Sequence, residues 1–244
     1  MSRIFKIEPF WHDDYYKIYN KDSVEIKPGV TNLLACNGGG KTTLIQQINH
    51  QLAKDESVIL IEYSEVKEGR SNAMEKYGFL EQFDKLSRNF MSSEGENVLN
   101  NFGEFCNKLG HKVKNLDTSK KEVWILLDGI DSGLSVNEIA EIPDFLKMVS
   151  NDIQQSKGLT PYILVAGNNY ELIGEFKDRC LDAINLEYLT INSYEEYRKI
   201  IFDSGELKEK RYKEGNKRRK EEKNKTKFER DDIWSLLVEE DEDE

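Results

Sequence analysis

The sharpest local signal in the sequence is the stretch Thr31-Asn-Leu-Leu-Ala-Cys-Asn-Gly-Gly-Gly-Lys-Thr-Thr43. Its first half predicts a strand, and the apolar positions that follow predict a helix over 41–53 with one buried side. Three successive glycines let the backbone turn its N–H groups toward one anion, and the helix N-terminus adds the positive end of its dipole. The stretch therefore predicts a polyphosphate site, in which Lys41 reaches the β- and γ-phosphates and the Thr42 hydroxyl ligates Mg²⁺.

The second half of such a site is an acid at the end of a buried strand. Val123-Trp-Ile-Leu-Leu-Asp128 has this form. Taken alone, an Asp in this position is more often the start of a loop. Beside the glycine-rich turn, Asp128 is predicted to hold the metal through water.

Short apolar runs alternate with longer amphipathic runs along the chain, which is typical of parallel strands joined by helices. The predicted strands are 4–7, 24–26, 31–35, 58–63, 123–128, 162–166 and 186–190, and the predicted helices are 41–53, 71–90, 96–109, 135–156, 170–180 and 193–202. A turn at Pro28-Gly29 predicts that the second strand belongs to an antiparallel edge. The predicted fold class is α/β, with a mostly parallel sheet, flanking helices and ligands at the carboxyl ends of the strands.

Three blocks of the sequence resemble those of ABC-type ATPases, including the SMC and RecF-like heads. The segment Ala35-Cys-Asn-Gly-Gly-Gly-Lys-Thr-Thr43 resembles their G-x-N-G-x-G-K-[ST]-T motif, with Ala35 in place of the first glycine. Leu127-Asp-Gly-Ile-Asp-Ser-Gly-Leu-Ser135 resembles their Walker B motif and D-loop, and Ser92-Ser-Glu-Gly-Glu96 is similar to the signature L-S-G-G-[QE]. The blocks occur in the family's order. Only 52 residues separate Lys41 from Ser93, which leaves no room for SMC-type arms.

The resemblance implies a P-loop NTPase fold of ABC type that binds ATP and Mg²⁺. It assigns catalytic roles to Lys41, Ser93 and Asp128, and metal binding to Thr42 and Asp128. It assigns nucleotide binding to Asn37, Gly38, Gly39, Gly40, Lys41, Thr42, Thr43 and Gly95. Because the signature acts on a neighbouring subunit's nucleotide in this family, a homodimer or hetero-complex closed by an ATP sandwich is also implied. Candidates for stacking on the base, each also compatible with a core or surface role, are Phe10, Trp11, Tyr15 and Tyr16.

Besides Ala35, two positions expected to act in catalysis depart from the family pattern. The catalytic Glu is replaced by Gly129, and the switch His by Asn168 or Asn169. A general base contributes roughly 10²- to 10⁴-fold in rate, so slow hydrolysis is expected unless Asp131 or Glu138 substitutes. Two functions stay open. One is a slow ATPase that couples nucleotide-dependent dimerisation to a DNA-linked or defence process, and the other is a non-hydrolysing, ATP-gated interaction module for a partner protein.

Composition excludes several classes of protein. No stretch approaches the roughly 20 consecutive apolar residues of a membrane span. The N-terminal residues lack the pattern of a signal peptide, so a cytoplasmic location is expected. With 46 acidic and 35 basic residues the net charge is −11, which argues against a protein that coats nucleic acid over its whole surface.

The charge is unevenly distributed toward the C-terminus. Residues 206–230 contain 12 Lys or Arg and 6 Glu, whereas 231–244 contain 8 acids and no base. This composition predicts that the folded domain, which the resemblance identifies as an ABC-type nucleotide-binding domain, spans 1–205, and that 206–244 form a charged surface helix that fades into a flexible tail. The basic stretch is suited either to nucleic-acid phosphates or to pairing with the acidic end. A small apolar island there suggests docking to a protein partner; it consists of Ile233, Trp234, Leu236 and Leu237.

Overall fold

The computed structural model describes residues 1–8, 17–64, 103 and 106–239, with side chains up to residue 222. The strands are β1 (Arg3–Lys6), β2 (Ser23–Ile26), β3 (Gly29–Leu34), β4 (Val58–Ser64), β5 (Glu122–Asp128), β6 (Thr160–Ala166), β7 (Cys180–Asp182) and β8 (Glu187–Leu189). The helices are α1 (Lys41–Leu52), α2 (Val136–Lys157) and α3 (Tyr194–Glu239), with a helical stretch at 106–114 and a 3₁₀ turn at Tyr170–Leu172.

Six of the strands in the described part of the chain form one sheet in the order β4-β5-β6-β3-β7-β8. All neighbouring pairs are parallel except β7 and β8, which are antiparallel. The predicted α/β class, with a mostly parallel sheet and flanking helices, is confirmed. The prediction for the second strand is only partly right: β2 is antiparallel, but it pairs with β1 in a separate two-stranded sheet rather than at the edge of the main one.

Helices and the small sheet cover the two faces of the main sheet, and alternate side chains of β5 pack into the core on each face. Trp124 and Leu126 point into the core beneath α1, while Ile125 and Leu127 point into the core beneath α2. Trp124 is fully buried and stacks on Tyr162 of β6 at a ring separation of 4.1 Å. A strand buried on both faces has a continuous apolar sequence, which explains the unbroken run before Asp128.

The sheet order fixes where a ligand can bind. The chain leaves β3 through α1 and crosses to β4 at one edge, whereas it leaves β6 for β7 on the far side of β3. These two connections leave the neighbouring strands β3 and β6 in opposite directions, and such a switch point opens a crevice at the carboxyl ends of the strands. The register places Asp128 of β5 beside Ala166 of β6, at this same end of the sheet.

The prediction of a helix at 170–180 is wrong. The 3₁₀ turn at Tyr170–Leu172 is followed by Gly174 with φ +49°, a left-handed conformation that ends helical structure. The chain then forms β7, which pairs in parallel with β3 and which the sequence did not predict. Three residues are too few to show the alternation that identifies a strand.

The last helix, α3, joins two regions that were predicted separately, the helix at 193–202 and the charged surface helix that begins at 206. It begins where the Ser193 hydroxyl accepts a hydrogen bond from Glu196 N, and it runs without interruption to Glu239. The predicted domain boundary at 205 falls inside this helix, and Leu207 beyond it packs against the core cluster of α1.

Some predictions fall outside the described residues. The predicted helix at 71–90 does so entirely, and the one at 96–109 does so up to 105 apart from residue 103; its last residues are helical, within 106–114. Across the ranges that are described, none of the helices combines the length and the apolar character that a membrane span requires.

Candidate functional site

The glycine loop, residues 36–40, joins β3 to α1 at the carboxyl edge of the sheet. Gly38 and Gly40 have φ of +70° and +93°, a region that residues with a side chain rarely adopt. A Cβ atom on Gly40 would lie 2.7 Å from the side chain of Ile18. At Gly39 it would lie 2.9 Å from the carbonyl oxygen of Cys36, which already accepts the Gly39 N–H. This tight turn therefore requires glycine at all three positions.

The first N–H groups of α1 have no capping side chain among the described residues. Gly40 caps the helix without a side-chain hydrogen bond, and the first turn contains no acidic residue. Helix α2 shows the contrast, because Ser135 and Glu138 close its N-terminus with a capping box. The N–H groups and positive dipole end of α1 are therefore available to an anion supplied by a ligand.

A pocket of about 300 Å³ lies over this helix end. Its lining includes every residue of the two Walker-like blocks that was predicted to bind nucleotide or metal. Its lining consists of Ile18, Cys36, Asn37, Gly38, Gly39, Gly40, Lys41, Thr42, Thr43, Asp128, Gly129, Ser132, Ala166 and Asn168. The two other predicted site residues, Ser93 and Gly95, lie outside the described residues, as do the aromatic candidates at 10, 11, 15 and 16.

Among the described residues that line the pocket, Lys41 supplies the positive charge, and its side chain folds back over the glycine loop. Its Nζ donates hydrogen bonds to Ala35 O at 2.6 Å, Cys36 O at 3.3 Å and Asn168 Oδ1 at 3.0 Å. The residue is only 8% exposed, and this burial lowers the pKa of Lys41. An ammonium group removed from water is attracted to an incoming phosphate more strongly than one in bulk solvent.

Thr42 and Asp128 meet at the pocket although 86 residues separate them. Thr42 Oγ1 donates to Asp128 Oδ1 at 3.0 Å. A hydroxyl that ligates Mg²⁺ can lie beside a carboxylate that holds the ion through water, and Mg²⁺ takes few protein ligands besides waters and phosphate oxygens. Within the described ranges, no group of three or more His, Cys, Asp or Glu side chains could hold a metal ion. The hydroxyl and carboxylate thus fit Mg²⁺ that arrives with a phosphate ligand.

Gly129, which stands where the family resemblance places a catalytic Glu, has a backbone conformation that favours glycine. Gly129 has φ +72°, and its N–H donates to Ala166 O at 2.8 Å, which ties the turn after β5 to β6. A residue with a side chain would cost about 1 kcal/mol in this left-handed conformation. A Gly129→Glu variant would therefore strain this turn while adding a carboxylate.

The two acids considered as substitutes for the missing base have other partners. Glu138 Oε2 accepts the Ser135 N–H at 2.7 Å, and the hydrogen bonds of the capping box lower the pKa of Glu138. Asp131 is 4% exposed, and its Oδ2 accepts from Asn168 N and from Asn169 Nδ2. Neither residue is part of the pocket lining, so neither is placed to take a proton from a ligand there.

The structure distinguishes between the two candidates for the switch position. Asn168 lines the pocket and contacts Lys41, whereas the Asn169 side chain turns away to Asp131. Of the two, only Asn168 is placed to contact a ligand.

One part of the site was missed from the sequence, namely the support that α3 gives to the glycine loop. Ser204 Oγ accepts the Cys36 N–H at 2.8 Å, and Lys208 Nζ donates to Asn37 O at 2.7 Å. Arg211 donates to the carbonyls of Lys17 and Ile18. Positions 204, 208 and 211 follow the i, i+4, i+7 spacing of one helix face. The many other charged residues of this helix hide that face in the sequence.

The chain matches no protein-family model, and no curated protein matches its sequence.

Proposed function

We propose that this chain is an ABC-type nucleotide-binding protein that binds ATP with Mg²⁺ and hydrolyses it slowly. The observation that carries the proposal is the 3.0 Å contact between Thr42 Oγ1 and Asp128 Oδ1 beside an open helix N-terminus and a buried Lys41. The order of the Walker-like blocks in the sequence adds support. The link to a DNA-linked or defence process rests on the resemblance alone.

In this proposal each residue has a separate task. The amides of residues 38–40 and the first turn of α1 bind phosphate oxygens, and Lys41 neutralises the β- and γ-phosphates. Thr42 and Asp128 hold Mg²⁺, which when bound would offset charge on the phosphate oxygens. Among the described residues, position 129 is a glycine, Asp131 and Glu138 are engaged elsewhere and Asp128 is assigned to the metal, so we expect turnover to be slow.

The test of the function is calorimetric titration of the full chain with ATP in Mg²⁺ and in EDTA. Wild-type protein is expected to bind more tightly in Mg²⁺, and Asp128→Asn should lose roughly 10-fold or more of that Mg²⁺-dependent gain, because a weakened metal partner typically costs 10- to 100-fold. Asp144→Asn, an exposed position on α2, is the matched control and should behave as wild type. No ATP binding by the wild type, or an unchanged Mg²⁺ effect in Asp128→Asn, would contradict the proposal.

The alternative is a non-hydrolysing, ATP-gated interaction module, and the glycine at 129 favours it. Single-turnover phosphate release separates the two. Slow but complete release of one phosphate per bound ATP supports the ATPase, whereas bound ATP that is recovered intact supports the module.

We further propose that ATP brings two copies of the chain, or the chain and a partner, together through the segment around Ser93. ATP should promote dimers, ADP should not, and slow hydrolysis should let the dimer persist. Ser93→Arg should block dimerisation by its size while leaving monomer binding nearly unchanged. Sedimentation with ATP, ADP and a non-hydrolysable analogue tests this. A chain that stays monomeric in all three would contradict the homodimer and leave only a complex with another protein.

A further inference from the structure

Asn168 is held by three residues from three separate parts of the chain. Its side-chain Oδ1 accepts from Lys41 Nζ at 3.0 Å. Its backbone N–H donates to Asp131 Oδ2 at 2.6 Å, and its backbone carbonyl accepts from the Tyr197 hydroxyl at 2.6 Å. With both backbone groups fixed, the residue has little freedom to withdraw its side-chain amide from the pocket.

The two groups that hold the backbone are buried. Asp131 is 4% and Tyr197 7% exposed. Burial, with the charge of Asp131 nearby, raises the pKa of Tyr197 to about 12, so the phenol keeps its proton and acts as a donor at any physiological pH. Hydrogen bonds in such surroundings are stronger than in water, and a partner left without its bond is costly.

Gly167, the residue before Asn168, is packed closely against its neighbours. A Cβ atom on Gly167 would lie 2.0 Å from Leu172 Cδ1 and 3.0 Å from Asp131 Oδ1. Only glycine allows this approach without displacing its neighbours. The Asp131 carboxylate therefore lies directly against the backbone that carries the pocket amide.

The contact with Lys41 links the fixed Asn168 amide to the residue that is proposed to bind phosphate. Lys41 is the residue expected to meet the γ-phosphate, the group that distinguishes ATP from ADP. The Asn168 amide lies within hydrogen-bond distance of Lys41 Nζ, and thus beside the place where that phosphate would bind. A fixed amide there interacts differently with the two nucleotides, whereas a mobile one would lose part of that difference to the cost of ordering it.

We propose that Asp131 and Tyr197 are positioning residues, which fix the backbone of Asn168 so that its amide makes the pocket prefer ATP over ADP. This inference rests on the proposed nucleotide-binding function. It also gives α3 a direct connection to the pocket, because Tyr197 lies in the first turn of that helix.

The test is the ratio of the dissociation constants for ADP and for a non-hydrolysable ATP analogue, both with Mg²⁺, in the full chain. Tyr197→Phe removes only the hydroxyl and should lower this ratio about 5-fold, the size expected for one hydrogen bond, with ADP affinity unchanged within about 2-fold. Asp131→Asn has the same shape and should lower the ratio too. Tyr194→Phe is the matched control, since Tyr194 lies on the same helix, its ring contacts Tyr197, and it is 54% exposed.

A double variant separates positioning from a general structural role. If Tyr197 acts through Asn168, Tyr197→Phe should cause no further loss in an Asn168→Ala background. Additive losses, equal weakening of both nucleotides, an unchanged ratio in Tyr197→Phe, or a wild type without preference for the ATP analogue would overturn this inference alone. A wild type that binds neither nucleotide would overturn the proposed function and the inference with it.

Discussion

Lys41→Ala is expected to weaken ATP binding by roughly 100-fold or more, because it removes a partly desolvated ammonium that would bond two phosphates, and charge-assisted bonds contribute about 1.5–3 kcal/mol each. The fold should tolerate the change. The loss of a donor to three oxygens lowers the free energy of unfolding, whereas the removal of a buried charge raises it, so the two effects partly cancel. Calorimetric titration with ATP and Mg²⁺ measures the affinity, and thermal unfolding without nucleotide should show a melting temperature within about 3 °C of wild type.

The matched control is Lys54→Ala, an exposed lysine just beyond the other end of α1. It should leave affinity and melting temperature unchanged. Normal ATP binding by Lys41→Ala would refute the site. A collapse of the fold in Lys41→Ala would instead assign Lys41 a structural role in the glycine loop.

The second large effect is expected from truncation of α3. A chain that ends at 205 loses Leu207 from the core edge, Lys208 from the Asn37 carbonyl and Arg211 from the carbonyls of 17 and 18. These contacts together should contribute about 2–3 kcal/mol, so the melting temperature should fall by roughly 5–10 °C. ATP affinity should fall about 10-fold, because the glycine loop and Ile18 lose their outer support.

A chain that ends at 222 keeps all of these contacts and is the control. Its melting temperature and ATP affinity should match those of the full chain. Equal behaviour of the two truncations would contradict the role assigned to residues 206–211 and would support the sequence-based boundary at 205.

The sequence predicted those parts of the molecule in which local pattern and tertiary structure agree. The run Val123–Leu127 is apolar because both faces of β5 are covered, and the three glycines at 38–40 are needed by the turn itself, so both could be recognised directly. The proximity of Thr42 to Asp128 was also predictable, since parallel strands bring their carboxyl ends to one edge of the sheet.

Other parts depend on contacts that no local pattern encodes. β7 is a strand because the edge of β3 is available to it, and its three residues show no period of their own. From the sequence, Asp131 is one of two acids that could substitute for the missing base, whereas in the structure it is a partner of the Asn168 backbone. The role of Tyr197, 29 residues from Asn168, follows only from the way α3 returns to the pocket.

The nucleotide site is tested most directly by a crystal structure of the full chain with Mg²⁺ and a non-hydrolysable ATP analogue. We expect phosphates on the amides of residues 38–42, the metal beside Thr42 and Asp128, and Lys41 Nζ turned from the loop carbonyls to the phosphates. An analogue bound elsewhere, or a pocket that excludes it at saturating concentration while Lys41 keeps its bonds to Ala35 and Asn168, would contradict the proposed site.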